Sequence, residues 1–210
     1  MENLQKQTYA VTLYFDSDTT SKIKGLVSEF SRVTGSDFLI KNNVTPHVTL
    51  GAFHCTQSEV PHLKKLFHDF YERSFDFVNS VKDSKCFLKM DFSSIDSFLD
   101  KVIFLKPVMD ENLRSLNRCL HDIMLPYFES GDNRNYIPER WCAHVALAVK
   151  LSHEQFEKGM SFLKECGVLN GAVPEVMSGG SVILPHSADV VSMGLALCHP
   201  FTELERICYE

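Results

Sequence analysis

Nowhere in the 210 residues does an apolar run approach the ~18 residues that a membrane-crossing helix needs, so no membrane span is expected. Glu2, Lys6, Asp16 and Asp18 interrupt the opening stretch, which argues against a secretory leader. Basic clusters are missing too: 21 lysines and arginines are outnumbered by 27 acidic residues, for a net charge of -6. Proteins of long duplexes draw most of their affinity from neutralised phosphates. Duplex DNA is therefore excluded as a partner, while one phosphate or an RNA end in a local pocket is not. The seven cysteines contain no C-x-x-C pair. An odd, widely spaced set reads as reduced thiols of a cytoplasmic protein rather than as a disulfide framework or a zinc site. No G-x-x-x-x-G-K-[ST] phosphate loop exists, and Gly179-Gly180 reads as a turn before a strand. What remains is ordinary globular composition, 44% hydrophobic and 23% charged, with no low-complexity tract. That length suits a single domain over 1–210, able to bury roughly 70% of its unfolded surface without staples.

Hydrophobic spacing switches between the strand and helix periods. Residues 9–15 alternate as a strand, Asp16-Ser17-Asp18 offers a cap, and Ile23, Leu26, Val27, Phe30 and Val33 predict a helix over 19–34. Pro46 introduces a strand over 45–53, followed by a helix over 58–71 that carries Val60, Leu63, Leu66, Phe67 and Phe70. Strand-like pieces follow at Phe75–Phe77 and Phe87–Met90, joined by a charged turn at 82–85. The second half repeats the programme with a strand over 102–106, a helix over 109–128, a polar loop over 129–140, a strand over 141–150 and a helix capped by Ser152. Two β-like runs, 181–184 and 190–198, separated by Pro185 and Ser187, complete the pattern.

The second strand of each half can be laid over the other. Pro46-His47-Val48-Thr49-Leu50-Gly51 matches Ala143-His144-Val145-Ala146-Leu147-Ala148, and each precedes a hydroxyl with a glutamate, Thr56 with Glu59 and Ser152 with Glu154. This reads as an internal duplication. Strand alternation sends Val48, Leu50 and Ala52 toward a core, with Val145, Leu147 and Val149 as their counterparts. His47, Thr49 and Gly51 then share the opposite face, as do His144, Ala146 and Ala148. Packing two such units about a pseudo-twofold axis brings the histidine faces together across a cleft. Imidazoles with an ordinary pKa of about 6.5 form an acid–base pair near neutrality. The neutral ring takes a proton from water or a ribose hydroxyl, and the cation protonates the departing oxygen. A phosphodiester suits the gap, because its attacking and leaving groups lie on opposite sides of phosphorus. Thr49 would donate to a non-bridging oxygen. No metal and no cofactor is called for.

These residues resemble the 2H phosphoesterases, which include the 2'-5' RNA ligase-like enzymes and RNA cyclic phosphodiesterases. That family is marked by two His-x-Thr/Ser motifs about half a chain apart, often as Pro-His-x-Thr-Leu, and residues 46–50 match in full. The segment from Trp141 to Ala148 is similar to the family's Trp-x-Pro-His-x-Thr-Leu-Ala, with Ala143 in place of Pro and Ala146 in place of Thr or Ser. The resemblance implies an α+β, duplicated bilobal fold, two sheet lobes with helices outside around a central cleft. It also implies metal-independent work on 2',3'-cyclic phosphates or 2',5' linkages, with His47 and His144 as the catalytic pair and Thr49 on the phosphate. A nucleotide or RNA-end substrate and a monomeric state are expected. A hydroxyl-to-phosphate bond of about 1.5–3 kcal/mol is missing at Ala146, unless a backbone amide, Tyr136 or Lys150 replaces it. The alternative is a nucleotide- or RNA-end-binding module that kept the cleft and lost turnover.

Other candidates read as structural. His54, His62, His68, His121, His153, His186 and His199 have no motif around them. Trp141 reads as packing between lobes rather than as a base-stacking platform. Cys142, two residues from His144, would lie beside it on one face rather than aim at it, which does not make a nucleophile–base pair.

Overall fold

A computed structural model of the chain describes residues 5–78, 86–166 and 184–209. Strand β1 (Gln7–Phe15) runs into Asp16, whose carboxylate accepts from the Thr19 N–H (2.8 Å) and caps α1 (Ser17–Thr34). A short α2 (Phe38–Lys41) leads to β2 (His47–Cys55). There the Thr56–Glu59 pair closes a reciprocal capping box, with the Thr56 N–H on the Glu59 carboxylate at 2.8 Å, ahead of α3 (Val60–Ser74). The hairpin β3 (Leu88–Phe98) and β4 (Val102–Pro107) precedes α4 (Glu111–Met124), a two-residue β5 (Glu129–Ser130) and β6 (Val145–Ala148). Then come α5 (His153–Glu165), β7 (Ser187–Cys198) and β8 (Phe201–Cys208).

All strand pairs are antiparallel, in the order β5-β2-β1-β7-β3-β4-β6, with β8 added on β7. Strand β7 is where the sheet forks. One of its edges follows β1, while the other pairs with β3 over Ser187–Val190 and then with β8 over Ser192–Cys198. Having left β7, the rest of β3 pairs with β4 instead. Two wings result, β5-β2-β1-β7-β8 and β3-β4-β6. Helices α3 and α4 pack together with α4 against β2, while α1 and α5 pack together with α1 against β6 and α5 against β4. The α+β, two-sheet arrangement is the expected one, but a wing is not one half of the chain. Helix α1 follows β1 and covers β6, and α4 follows β4 and covers β2. This reciprocal exchange ties the wings into one core, in which Phe30, Leu50, Leu105 and Leu147 are all essentially inaccessible.

Several local expectations need correction. Phe75–Phe77 is the turn that follows α3, where the N–H groups of Asp76 and Phe77 bond back to the Arg73 and Ser74 carbonyls. Phe75 is apolar there because it packs edge-on against Tyr71 and Phe87, not because it alternates in a strand. Helix α4 stops at Met124, short of 128, and the strand expected over 141–150 pairs only through Val145–Ala148. Ser152 caps through Gln155, not Glu154: its Oγ accepts from the Gln155 N–H, and Gln155 Oε1 accepts from the Ser152 N–H. Ser187 opens β7 instead of breaking it, residues 181–183 lie outside the described residues, and β8 had no counterpart in the sequence reading.

Three imidazoles, those of His47, His121 and His144, are held below their ordinary pKa, chiefly by burial. His121, 1% exposed on α4, donates from Nδ1 to the Asn117 carbonyl at 2.8 Å, and its Nε2 has no partner among the described residues. Protonating Nε2 would bury a charge and an unpaired donor. The unfolded chain binds that proton near pH 6.5 and the folded chain resists it. Unfolding therefore takes up protons as pH falls, so the stability owed to the neutral rings is complete above about 6.5 and is lost below it. The urea midpoint should be lower at pH 5.5 than at 7.5, and His121→Gln should flatten this dependence. An unchanged pH profile in that variant would show that His121 does not carry it.

Candidate active site

The histidine strands do not keep simple alternation. In the β1–β2 ladder Val11 pairs with Gly51 and Thr12 with Thr49, so Leu50 is an extra, bulged residue. In the β4–β6 ladder Ile103 pairs with Ala148 and Phe104 with Ala146, so Leu147 is bulged at the matching place. A bulge lets two successive positions turn toward one side and flips everything beyond it. His47 and Thr49 lie on the cleft side, as do His144 and Ala146, and Val48, Leu50, Val145 and Leu147 are buried in the core. Beyond each bulge the expected faces are exchanged. Gly51 faces α4, where a Cβ would come within 2.8 Å of the Leu120 side chain, and Ala52 lines the cleft. Likewise Ala148 belongs to the core and Val149 to the cleft.

A bulge also frees backbone groups, and here they are used to join the wings. The Leu50 carbonyl accepts from Asn117 Nδ2 (2.7 Å), which also donates to the Tyr136 carbonyl (2.9 Å). Next to it, the Thr49 carbonyl accepts from the indole Nε1 of Trp141 (3.0 Å), a residue 8% exposed. Trp141 is thus the packing residue expected, and its hydrogen bond latches the lead-in of β6 to β2. These bonds hold the two strands in contact although they stand apart in the sheet order.

Both histidines are set in the same way. His47 Nδ1 lies 2.7 Å from the Thr45 carbonyl, and His144 Nδ1 lies 2.9 Å from the Cys142 carbonyl. A carbonyl only accepts, so each Nδ1 carries a hydrogen and each neutral ring keeps its Nε2 lone pair for the cleft. Aromatic neighbours fix the ring planes. Phe201 stacks on His47 (centroids 5.5 Å apart, 16° between planes), and Tyr14 is tilted against the same imidazole at 6.0 Å. Tyr136 stacks on His144 at 6.3 Å, and Phe98 meets that ring edge-on at 5.1 Å. Gly194 keeps room for this, since a Cβ there would run into the Tyr14 ring.

The cleft between them measures about 490 Å³, with His47, Thr49, His144 and Ala146 on its wall. Its electrostatics differ at the two rings. After burial, His47 is pushed down further by the charges of His144 and Arg206, whereas Asp132 pulls His144 back up. Arg206 lies 3.8 Å from the centre of the Tyr14 ring, beneath His47's neighbour. The Tyr136 phenol, beside the Thr49 hydroxyl, has its pKa raised by burial first and then by Asp132 and Cys198, so it stays an O–H donor. Burial likewise pushes the Cys198 thiol up to about 12 and raises that of Cys142, which leaves both as thiols.

Of the residues read as structural, His54 is held by Thr8 (3.2 Å), His68 by Glu205 (2.5 Å), and His62 packs on Tyr127. His199 departs from that reading, because it lines the cleft with Pro200 and Phe201 at the β7–β8 turn. Asp132 was also missed. It sits in a run of three left-handed residues, Asp132, Asn133 and Arg134 (φ 48°, 51° and 61°), pinned by the Gly131 N–H on the Ala52 carbonyl at 2.8 Å. Backbone in that region costs of order 1–3 kcal/mol per residue and tends to be kept where function uses it. Only the Asp-Asn pair, tolerant of left-handed backbone, could have hinted at it. Lys150, also left-handed at φ 55°, brings its Nζ to 3.9 Å from the Phe38 ring centre at the cleft rim. Among the described residues no His, Cys, Asp and Glu side chains gather into a metal-binding cluster.

No protein-family model matches the sequence, and a comparison with curated proteins finds no match. Solved structures do share its fold. E. coli LigT bound to 3'-AMP superimposes with a TM-score of 0.55 at 12% identity, over 97% of this chain and 98% of that one. A protein described as a phosphoesterase does so with a TM-score of 0.51 at 12% identity and the same coverage. The described residues have the fold of LigT.

Proposed function

We propose that the chain is a 2H-type phosphoesterase, a metal-independent phosphodiesterase acting on 2',3'-cyclic phosphates or 2',5' linkages of RNA and small nucleotides. The observation that carries this reading is the matched pair of imidazoles. Two rings on one cleft each give up Nδ1 to a carbonyl two residues back and keep Nε2 for a ligand. The LigT fold supports it, as that protein is seen with 3'-AMP, phosphate and NADP+. His47, opposed by neighbouring positive charge, is the general base that takes a proton from the attacking water. His144, with Asp132 nearby, is the general acid that protonates the ribose oxygen leaving phosphorus. Thr49 donates its hydroxyl to a non-bridging oxygen, and Tyr136 offers a second O–H from the opposite wing.

Turnover of a 2',3'-cyclic nucleotide should survive EDTA and follow a bell in pH, rising as His47 loses its proton and falling as His144 loses its own. Asp132→Asn removes the charge that favours protonated His144, so the alkaline limb should move to lower pH while the acid limb stays. Loss of activity in EDTA with recovery in zinc or manganese contradicts the reading, and a shift of the acid limb alone reverses the two assignments. The alanine at 146 favours one competitor, a binding module with the same cleft, which would bind the cyclic nucleotide without turning it over.

A further inference from the structure

The cleft does not end at His144. A second cavity of about 400 Å³ lies beyond it, and Asp132, Tyr136, His144, Ala146 and Val149 border both chambers. Each volume is in the roughly 300–1,000 Å³ range of a small-molecule site. A mononucleotide cyclic phosphate would need only one chamber, so a second chamber meeting the first at the proposed general acid has a place for whatever leaves. Its wall has the groups that a nucleotide uses. Phe98 and the hairpin-tip Leu99, 90% exposed, are apolar surface for a base. The Arg140 side chain reaches the Asn133 carbonyl and Asn135 Oδ1, both at 3.4 Å, neither of them a carboxylate. Most of its five N–H donors are uncommitted.

Resting on the reading above, we propose that this second chamber is a subsite for the leaving nucleoside. Ala146 keeps the passage to it open, and Arg140 grips the phosphate that follows. A threonine at 146 would place its extra methyl and hydroxyl at the shared wall, so the departure from the family pattern exchanges a phosphate contact for room. In a 2',5'-linked substrate the free 3'-hydroxyl attacks phosphorus and the bond to the 5'-oxygen breaks. His47 receives the hydroxyl proton, and His144 gives its proton to the departing 5'-oxygen in the second chamber. A 2',3'-cyclic phosphate and a 5'-hydroxyl result, and water returns the proton from His47 to His144.

The test compares kcat/KM for a uridine 2',3'-cyclic phosphate, a 2',5'-linked uridine dinucleotide, and that dinucleotide with a terminal 3'-phosphate. The terminal phosphate should raise kcat/KM roughly tenfold through KM, as a charge-assisted contact does. Arg140→Gln should erase that advantage and Arg140→Lys should keep part of it. Ala146→Leu, which fills the passage without adding a hydroxyl, should lower the ratio of dinucleotide to cyclic-phosphate turnover about tenfold. Turnover of the cyclic phosphate with ratios indifferent to both positions overturns the subsite alone. No turnover of any of the three substrates removes the phosphodiesterase reading and the subsite with it.

Discussion

Alanine in place of either His47 or His144 should lower turnover of a 2',3'-cyclic nucleotide by roughly 10²–10⁴-fold, the usual worth of one general acid or base. The double variant should fall little further, since an acid without its base has no concerted step to assist. Both rings line the cleft rather than fill the core, and what they give the fold is contact with their aromatic neighbours and a local hydrogen bond to the Thr45 or Cys142 carbonyl. Removing either ring leaves that carbonyl to water, so the melting temperature should change little. Asparagine makes the sharper control, because its amide can still reach the carbonyl two residues back but has nothing that matches Nε2. Single variants within a few-fold of the parent would mean that the pair is a binding platform.

Ala146→Thr should raise turnover of the same small substrate by up to ~100-fold, the rate equivalent of the ~1.5–3 kcal/mol of a hydrogen bond to a charged group. Ala146 stands across from Phe104 on the cleft face, one residue before the Leu147 bulge, as Thr49 stands one residue before Leu50. A β-branched side chain suits that backbone, so stability should stay nearly level. Thr49→Ala should cost a factor similar to what Ala146→Thr gains. Steady-state kinetics decide the matter. No gain from threonine, in a protein that binds the nucleotide tightly and never turns it over, would favour the binding module.

The histidine strands were legible because their signals are local. A small motif repeated before two capped helices depends only on neighbouring residues, and Thr56 with Glu59 cap as their spacing says. Faces within each motif were legible as far as the bulge. Past Leu50 and Leu147 they were not, because a bulge is set by the partner strand and leaves a sequence that still alternates. The exchange of α1 and α4 between wings is invisible for a related reason. An amphipathic helix declares that it covers something but not which sheet. The cleft walls from Tyr136, Asp132 and His199 come from loops, where no period exists to read, and their places follow from pairings such as Gly131 on Ala52. Strand β8 alternates only partly and lies half in solvent, so its pattern was too weak to separate from a loop.

The most direct measurement is a titration with a 2',3'-cyclic nucleotide followed through the ¹⁵N resonances of the imidazole rings. Nε2 of His47 and of His144 should shift together and saturate at one ligand concentration, while each Nδ1 keeps its carbonyl-bound signature and His54 and His68 stay in place. A shift confined to one of the two rings, or binding that moves neither, would contradict a phosphate held between them.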